Sequence, residues 1–530
     1  MSGEATVDRA PATAAQSPAA PPPLTGGALA IGTIALSLAT FMNVLDTSIA
    51  NVSIPAIAGD LGVSPDQGTW VITLFGVANA ISLPLTGWLA QRIGQVRLFT
   101  ASILLFVIAS LMCGMANSFA MLVVCRVIQG AVAGPMIPLS QTLLLSSYPP
   151  QKSGVALGMW SMTTLVAPVA GPLLGGWITD NISWPWIFYI NVPVGLIAAA
   201  ITWSIYKDRE SPRKSLPIDK VGVALLVVWV GALQIMLDKG KDLDWFASKE
   251  IIALGLAALI GFALFLVWEI YEEHPVVDLR YFCRRNFVSG TLAVSLGYAA
   301  FFGNLVLLPL WLQQYMGYTA TEAGFALAPV GVLAILMTPL VGRFGGKLDP
   351  RVLASVSFLI FALVFHMRGG FNTQANLATI MVPTIIQGAA VAMFFVPLIG
   401  LTLSGLKPHE VPGATGLTNF VRITAGSFGT SIATTLWSNR AALHHAQLIE
   451  HLSPYDPAAA QTLANLQASG LSPEQARGML NQLVDQQAYT FAATDIFNAS
   501  VLLFIILAVL VWFARPSRGA SSAAAAAGAH

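Results

Sequence analysis

The chain has 530 residues, of which 55% are hydrophobic and only 10% are charged, whereas soluble globular chains carry about 25% charged residues. A mean hydropathy of +0.71 points the same way, and together these values exclude a soluble enzyme. With 26 Lys and Arg against 25 Asp and Glu the net charge is +1, so no basic surface recommends a nucleic-acid partner. Cys113, Cys125 and Cys283 lie far apart and suggest packing thiols, with neither a disulfide framework nor a metal site.

A bilayer-spanning helix takes about 20 apolar residues. In chain order such runs fall at 28–50, 69–89, 98–117, 119–141, 153–176, 185–206, 221–238, 250–270, 287–311, 321–342, 352–370, 376–404, 413–438 and 496–514. These predict an all-α membrane protein with 14 spans. The first run is preceded by an Ala/Pro-rich segment with a single basic residue, Arg9, which makes a poor signal peptide and predicts a retained span. Residues 1–27 and 515–530 are low in complexity and are expected to be disordered tails. With both tails placed in the cytoplasm, 18 of the 26 basic residues fall on the inside, six outside and two, Arg126 and Arg422, within spans. This bias predicts that orientation.

The chain also repeats itself. Gly87-Trp-Leu-Ala-Gln-Arg-Ile-Gly94 returns as Gly342-Arg-Phe-Gly-Gly-Lys347, Val127-Ile-Gln-Gly-Ala-Val132 as Ile385-Ile-Gln-Gly-Ala-Ala390, and Gly154-Val-Ala-Leu-Gly158 as Gly413-Ala-Thr-Gly416, at offsets of 255, 258 and 259. A near-constant offset implies two six-span halves, 28–206 and 287–514, separated by a linker and two-helix hairpin at 207–286. Two parallel repeats flanking a central site make a transporter that rocks one half against the other.

Several of these segments resemble a known family. Leu45-Asp-Thr-Ser-Ile-Ala-Asn-Val-Ser-Ile-Pro55 resembles the first-span signature of fourteen-span drug:proton antiporters of the major facilitator superfamily. Gly87-x-Leu-Ala-x-Arg92-x-Gly94 resembles the superfamily's motif between spans 2 and 3, Arg126-x-x-Gln-Gly130 its span-4 motif, and Gly171-Pro172-Leu-Leu-Gly175-Gly176 the antiporter motif of span 5. Gln67-Gly-Thr-Trp-Val-Ile-Thr73, Val127 to Leu145, Gln234-Ile-Met-Leu-Asp238 and Leu243-Asp-Trp-Phe246 narrow the resemblance to EmrB-type multidrug:proton antiporters. The resemblance covers about 28–514 and implies proton-driven export of hydrophobic drug-like compounds across a bacterial inner membrane. It also implies a tripartite system with an EmrA-like periplasmic adaptor and a TolC-like outer-membrane channel, without a cofactor. One departure is Gln91, where the motif usually carries an acid, which puts the charge-pair gate attributed to that acid in doubt.

Charge inside a bilayer is costly and marks function by default. Asp46 is the one acidic residue deep within a predicted span, and helix rise places Arg126 at a similar depth. Burial favours the neutral acid and a nearby guanidinium the ionised one, so a moving Arg126 makes Asp46 a proton switch; a permanent ion pair that locks helices is the alternative. Asn43 shares the face of Asp46, and Gln129 that of Arg126. Gly130, Gly171, Pro172, Gly175 and Gly176 allow either close packing or bending. Arg422, with Asn419 one turn before it, would hold an anionic substrate group or cap carbonyls, and Tyr298, Phe302 and Phe395 are candidates to line an apolar cavity. His444, His445 and His451 lack a carboxylate or Cys at ligand spacing and read as a solvated face.

The outer segment 439–495 is the longest loop, with a capping-box pattern at Ser472-Pro-Glu-Gln475. It is expected either to dock the adaptor or to cap the protein's own mouth. A transporter of one defined metabolite, and a receptor or enzyme, are the competing readings. Against the enzyme, the sequence contains no GxSxG, HExxH, phosphate-loop or dinucleotide motif.

Overall fold

The computed structural model describes residues 22–149, 152–213, 217–345, 348–407, 409–450 and 457–515. The tails expected over 1–27 and 515–530 therefore lie outside the described residues except at 22–27 and Arg515, as do His451 and Lys347.

The described chain is helical. The first eleven helices are α1 (Gly26–Asp60), α2 (Pro65–Gly68), α3 (Trp70–Ile93), α4 (Gln95–Gly114), α5 (Phe119–Ala133), α6 (Met136–Ser147), α7 (Ser153–Asn181), α8 (Trp186–Tyr189), α9 (Asn191–Tyr206), α10 (Lys220–Lys239) and α11 (Lys249–Tyr271). There follow α12 (Arg285–Tyr315), α13 (Ala320–Leu327), α14 (Pro329–Gly345), α15 (Pro350–Arg368), α16 (Leu377–Thr402), α17 (Val411–Glu450), α18 (Pro457–Ala468) and α19 (Pro473–Leu510). Eleven helical stretches are long and apolar enough to cross a membrane by length and composition. The other three predicted spans fall on α7, on the α13–α14 pair and on α17. Proline marks the breaks: Pro135 separates α5 from α6, and Pro329 opens α14 after the turn at Ala328.

The helices run up and down, so α3 and α5 start at the end of the bundle opposite to the chain's first and last described residues. We call the latter end basal and the former the crown. At the basal end Leu24 N–H donates to Ser147 O at 2.9 Å and Arg285 Nε to Phe513 O at 2.5 Å. Packing follows the repeat: α1 lies on α7 as α12 lies on α17, α3 on α5 as α14 on α16, and α4 on α9 as α15 on α19. The sets meet where α3 and α6 touch α17 and where α7 touches α14 and α16.

Gly87 on α3 faces Gly413 on α17 so closely that a Cβ on Gly87 would lie 2.5 Å from Gly413 Cα. Backbone-to-backbone approach of this kind needs small residues on both helices. The linker clamps the same corner: Tyr281 Oη donates to Glu410 O at 3.3 Å, and Arg284 forms a two-pronged ion pair with Glu410 at 2.7 and 3.1 Å. Helix α10 bridges the two sets near the crown, where its Asp238 accepts from Thr73 of α3 while Gln234 Nε2 donates to Ser427 Oγ of α17 at 3.0 Å.

The segment 439–495 is largely helical: α17 runs on to Glu450, and α19 starts at Pro473 and continues without a break into the last span. The Ser472–Gln475 capping box forms as the sequence suggests. Trp437 Nε1 donates to Tyr489 O at 2.9 Å, Tyr315 stacks on Tyr489 at 4.0 Å, and Arg440 and His444 both reach Asp495, at 3.0 and 2.9 Å. His445 pairs with Asp485 at 3.3 Å, so these two histidines brace helices, and no metal-binding group of His, Cys, Asp or Glu occurs among the described residues.

Replacing Gly87 by Val should force the basal ends of α3 and α17 apart. Spin labels on those ends should report a separation several ångström wider than in the parent protein, and an unchanged distance would show that the glycine contact does not control closure.

Candidate functional site

Asp46 and Arg126 lie on α1 and α5, and both are fully buried. Arg126 Nη1 donates to Asp46 Oδ2 at 2.5 Å. Gln129, one turn along α5, donates to Asp46 Oδ1 at 3.2 Å and accepts from Arg126 Nη1 at 2.7 Å. Asn191, at the start of α9, donates to the same Oδ1 at 2.9 Å and to Ser110 Oγ of α4 at 3.0 Å. Ser110 Oγ in turn donates to Phe188 O at 2.9 Å. Arg126 is further held by Val71 O of α3 at 3.0 Å and by the face of Phe75, 4.1 Å from its ring centre. Its Nη2 has no partner. Five helices thus contribute to one hydrogen-bonded cluster around the pair, with α5 and α9 donating to the Asp46 carboxylate directly.

Asn43 does not join this network: its Nδ2 donates to Ala133 O at 3.1 Å. The glycines sit at helix seams. A Cβ on Gly171 or Gly175 of α7 would lie 2.5 Å from Ser48 Cβ or 2.7 Å from Ile49 O on α1, while Gly130 abuts Phe75 O and Gly176 is less tightly placed, 3.8 Å from Val52. The Pro172 side chain lies outside the described residues. Gly94 has φ +101°, a left-handed turn that glycine accepts readily, and Arg92 lies over Trp88 at 5.3 Å.

A second site lies between the two helix sets. Arg422 of α17 is 4% exposed and donates from Nη2 to Asn419 Oδ1 at 2.8 Å. Asn419 Nδ2 in turn donates to Gln141 Oε1 of α6 at 3.2 Å. Tyr298, Phe395 and Trp160 surround the guanidinium with ring centres at 4.6, 5.6 and 5.9 Å, and Phe302 stacks on Tyr298 at 5.2 Å. Cation–π attraction steadies the charge, but among the described residues no carboxylate is in ion-pair contact with it. A cavity of about 10 Å³ opens beside Arg422 and Asn419, room for about one water.

Sequence reasoning missed Asn191, Ser110, Gln141, Trp160 and Arg368. Asn191 had a readable signal as the lone amide in the apolar run 185–206. Arg368, counted among outer-loop residues, is 1% exposed and donates to Gln387 Oε1 at 2.7 Å and Thr384 Oγ1 at 3.2 Å. Offset by 258, Asp46, Ser110, Arg126 and Gln129 correspond to Asn304, Arg368, Thr384 and Gln387. The arginine has changed helix between repeats, and the carboxylate has become an amide.

Removing one member of a buried ion pair typically costs about 3–5 kcal/mol because the other is left uncompensated. Arg126→Gln should lower the thermal stability of the purified protein on that scale, and adding Asp46→Asn should restore most of it. Simple additivity of the two losses in calorimetry would show that the residues are not coupled.

Comparison with known proteins agrees with this geometry. The Major Facilitator Superfamily model matches residues 36–430. The chain is 52% identical over 499 residues to the multidrug export protein EmrB of Haemophilus influenzae, covering 94% of this chain and 98% of that one. It is equally similar, 52% over 94% and 98% of the two chains, to EmrB of Escherichia coli. To the fatty acid resistance protein FarB of Neisseria gonorrhoeae it is 51% identical over 495 residues, covering 93% and 98%. Among solved structures, the human organic anion transporter MFSD10 (TETRAN) superposes with a TM-score of 0.56 at 13% identity, covering 92% of this chain and 100% of that one. The proton:xylose symporter XylE gives 0.55 at 13% identity, covering 91% and 95%. These last two show the fold alone. The chain belongs to the major facilitator superfamily, a family of transporters rather than enzymes, and within it to the EmrB-type multidrug export proteins.

Proposed function

We propose that the protein exports hydrophobic, drug-like compounds across the bacterial inner membrane in exchange for protons, with both termini in the cytoplasm. The observation that carries the proton coupling is the Asp46–Arg126 pair, fully buried at 2.5 Å and ringed by Gln129 and Asn191. Protonating Asp46 removes the charge that holds Arg126 and leaves the amides of Gln129 and Asn191 donating to a neutral acid. The contacts joining α1, α5 and α9 then weaken together. Helix α1 packs through Ile49 and Ser48 on Gly175 and Gly171 of α7, and α7 carries Trp160, which borders the Arg422 site. A shift of α1 is thereby passed to the wall of the central site, as alternating access requires. Arg422 is the anchor for polar or anionic groups on otherwise apolar cargo, since it has a buried guanidinium without a carboxylate partner. FarB, named for fatty acid resistance, supports that reading. The paired packing of the repeats supports a domain scheme of two six-span halves and an inserted hairpin.

The crown formed by 439–495 is the surface for a periplasmic adaptor of the EmrA type, leading to a TolC-like channel. It is braced on α12 and on itself through Tyr315, Trp437 and Tyr489, and it leaves Leu443, Met479 and Leu483 more than 40% exposed.

Asp46→Asn should abolish drug transport driven by a pH gradient in inverted vesicles while leaving drug binding to the purified protein intact; gradient-dependent transport by that variant at the parent rate would overturn the switch. Met479→Glu combined with Leu483→Glu should spare transport in vesicles and remove resistance in cells, with loss of cross-links from the crown to the adaptor. Full resistance would show that the exposed apolar face docks nothing.

A further inference from the structure

The outward faces of α4 and α9 carry a groove that none of the chemistry above uses. It has a volume of roughly 600 Å³ and is lined by Arg97, Thr100, Ala101 and Leu104 of α4 and by Leu196, Ala199, Ala200 and Trp203 of α9. The helices are antiparallel, so Arg97 and Trp203 lie at the basal mouth and Leu104 and Leu196 seven residues deeper, about 10 Å along the axis. Ala101, Ala199 and Ala200 provide the short side chains that let two adjoining helices leave a furrow. Around it Leu105, Ile108 and Ile197 are each about half exposed, as on a bilayer-facing surface.

We propose that this groove is a binding site for a membrane phospholipid, with one acyl chain lying along the alanines and the phosphodiester on Arg97. Three observations support this occupant. The polarity runs in one direction, from a single cation at the mouth to an apolar floor, which is the gradient of a lipid. The Arg97 side chain is 49% exposed, and its neighbouring carboxylate, Glu210, stays 3.9 Å from Nε while accepting from the backbone N–H groups of Val96 and Arg97, both at 3.0 Å. The matching helix pair of the second repeat, α15 and α19, is bridged near the same end: Trp512, just beyond α19, donates to Ser355 Oγ at 2.9 Å, with Arg351 over its ring at 5.0 Å. Transported cargo is a poorer fit, since the groove is lined by α4 and α9 alone and the Arg422 cavity by α6, α12, α16 and α17.

Native mass spectrometry of the full-length protein, extracted in mild detergent with added phosphatidylglycerol, tests the site. The parent protein should retain one lipid more tightly than the rest. Ala200→Trp, which fills the furrow at an exposed position, should lose that lipid, and Ala101→Phe should do the same by an independent route. Arg97→Gln should weaken retention about fivefold, the contribution of one basic side chain near an anionic lipid surface, while Leu105→Trp, outside the groove, should change nothing. Retention unaffected by either filling variant would overturn the proposal. So would displacement of the retained lipid by inorganic phosphate alone or by a transported drug.

Discussion

A carboxylate and a guanidinium, each without exposed surface and 2.5 Å apart, impose the strongest constraint on this fold. Several kcal/mol are spent in taking each ion out of water, and only close pairing with full hydrogen bonding offsets that cost. The first repeat goes most of the way by aiming Gln129, Asn191 and Val71 O from three helices at the pair, leaving Arg126 Nη2 as the one polar atom of the two side chains without a partner among the described residues. The arrangement is stable as long as both groups are charged.

The second repeat keeps a buried arginine–glutamine contact and lacks the carboxylate. Asn304 stands where the offset places Asp46, and Arg368 enters from α15 rather than α16 to meet Gln387. Arg368 is 1% exposed, and its hydrogen-bond partners are an amide and a hydroxyl, Gln387 and Thr384. The first repeat therefore holds a carboxylate–guanidinium pair, and the second a guanidinium with amide and hydroxyl partners. The asymmetry extends to the middle of the molecule, where Arg422 comes from the second half and the indole that borders it, Trp160, from the first.

Motion between the halves depends on the contacts that must break. At the basal end these are backbone contacts at Gly87 and Gly413, reinforced by Arg284 and Glu410 at 2.7 Å. Nearer the crown, α10 holds both sets through short polar contacts to Thr73 and Ser427. The linker clamp is partly exposed, with its two side chains at 39% and 18%, whereas the Asp46–Arg126 pair has no exposed surface.

The sequence by itself determined which segments enter the membrane, because apolar length is a local property that the bilayer reads directly. It also determined the repeat, the family, and the two residues that meet as an ion pair, since an acid and a base deep in apolar runs have few affordable partners. Tertiary structure decided the rest. Ser110 and Asn191 reach Asp46 only because α4 and α9 present those faces to α1, and helix rotation is set by packing, which no single segment encodes. Arg368 looked like a loop residue because it ends its helix next to Gly369-Gly370; it is buried because α16 lies alongside with Gln387 turned toward it. The outer segment read as a loop with short helices because its apolar positions are sparse. It forms long extensions of α17 and α19 because Trp437, Tyr489 and Tyr315, distant in sequence, stack where the two helices leave the bundle.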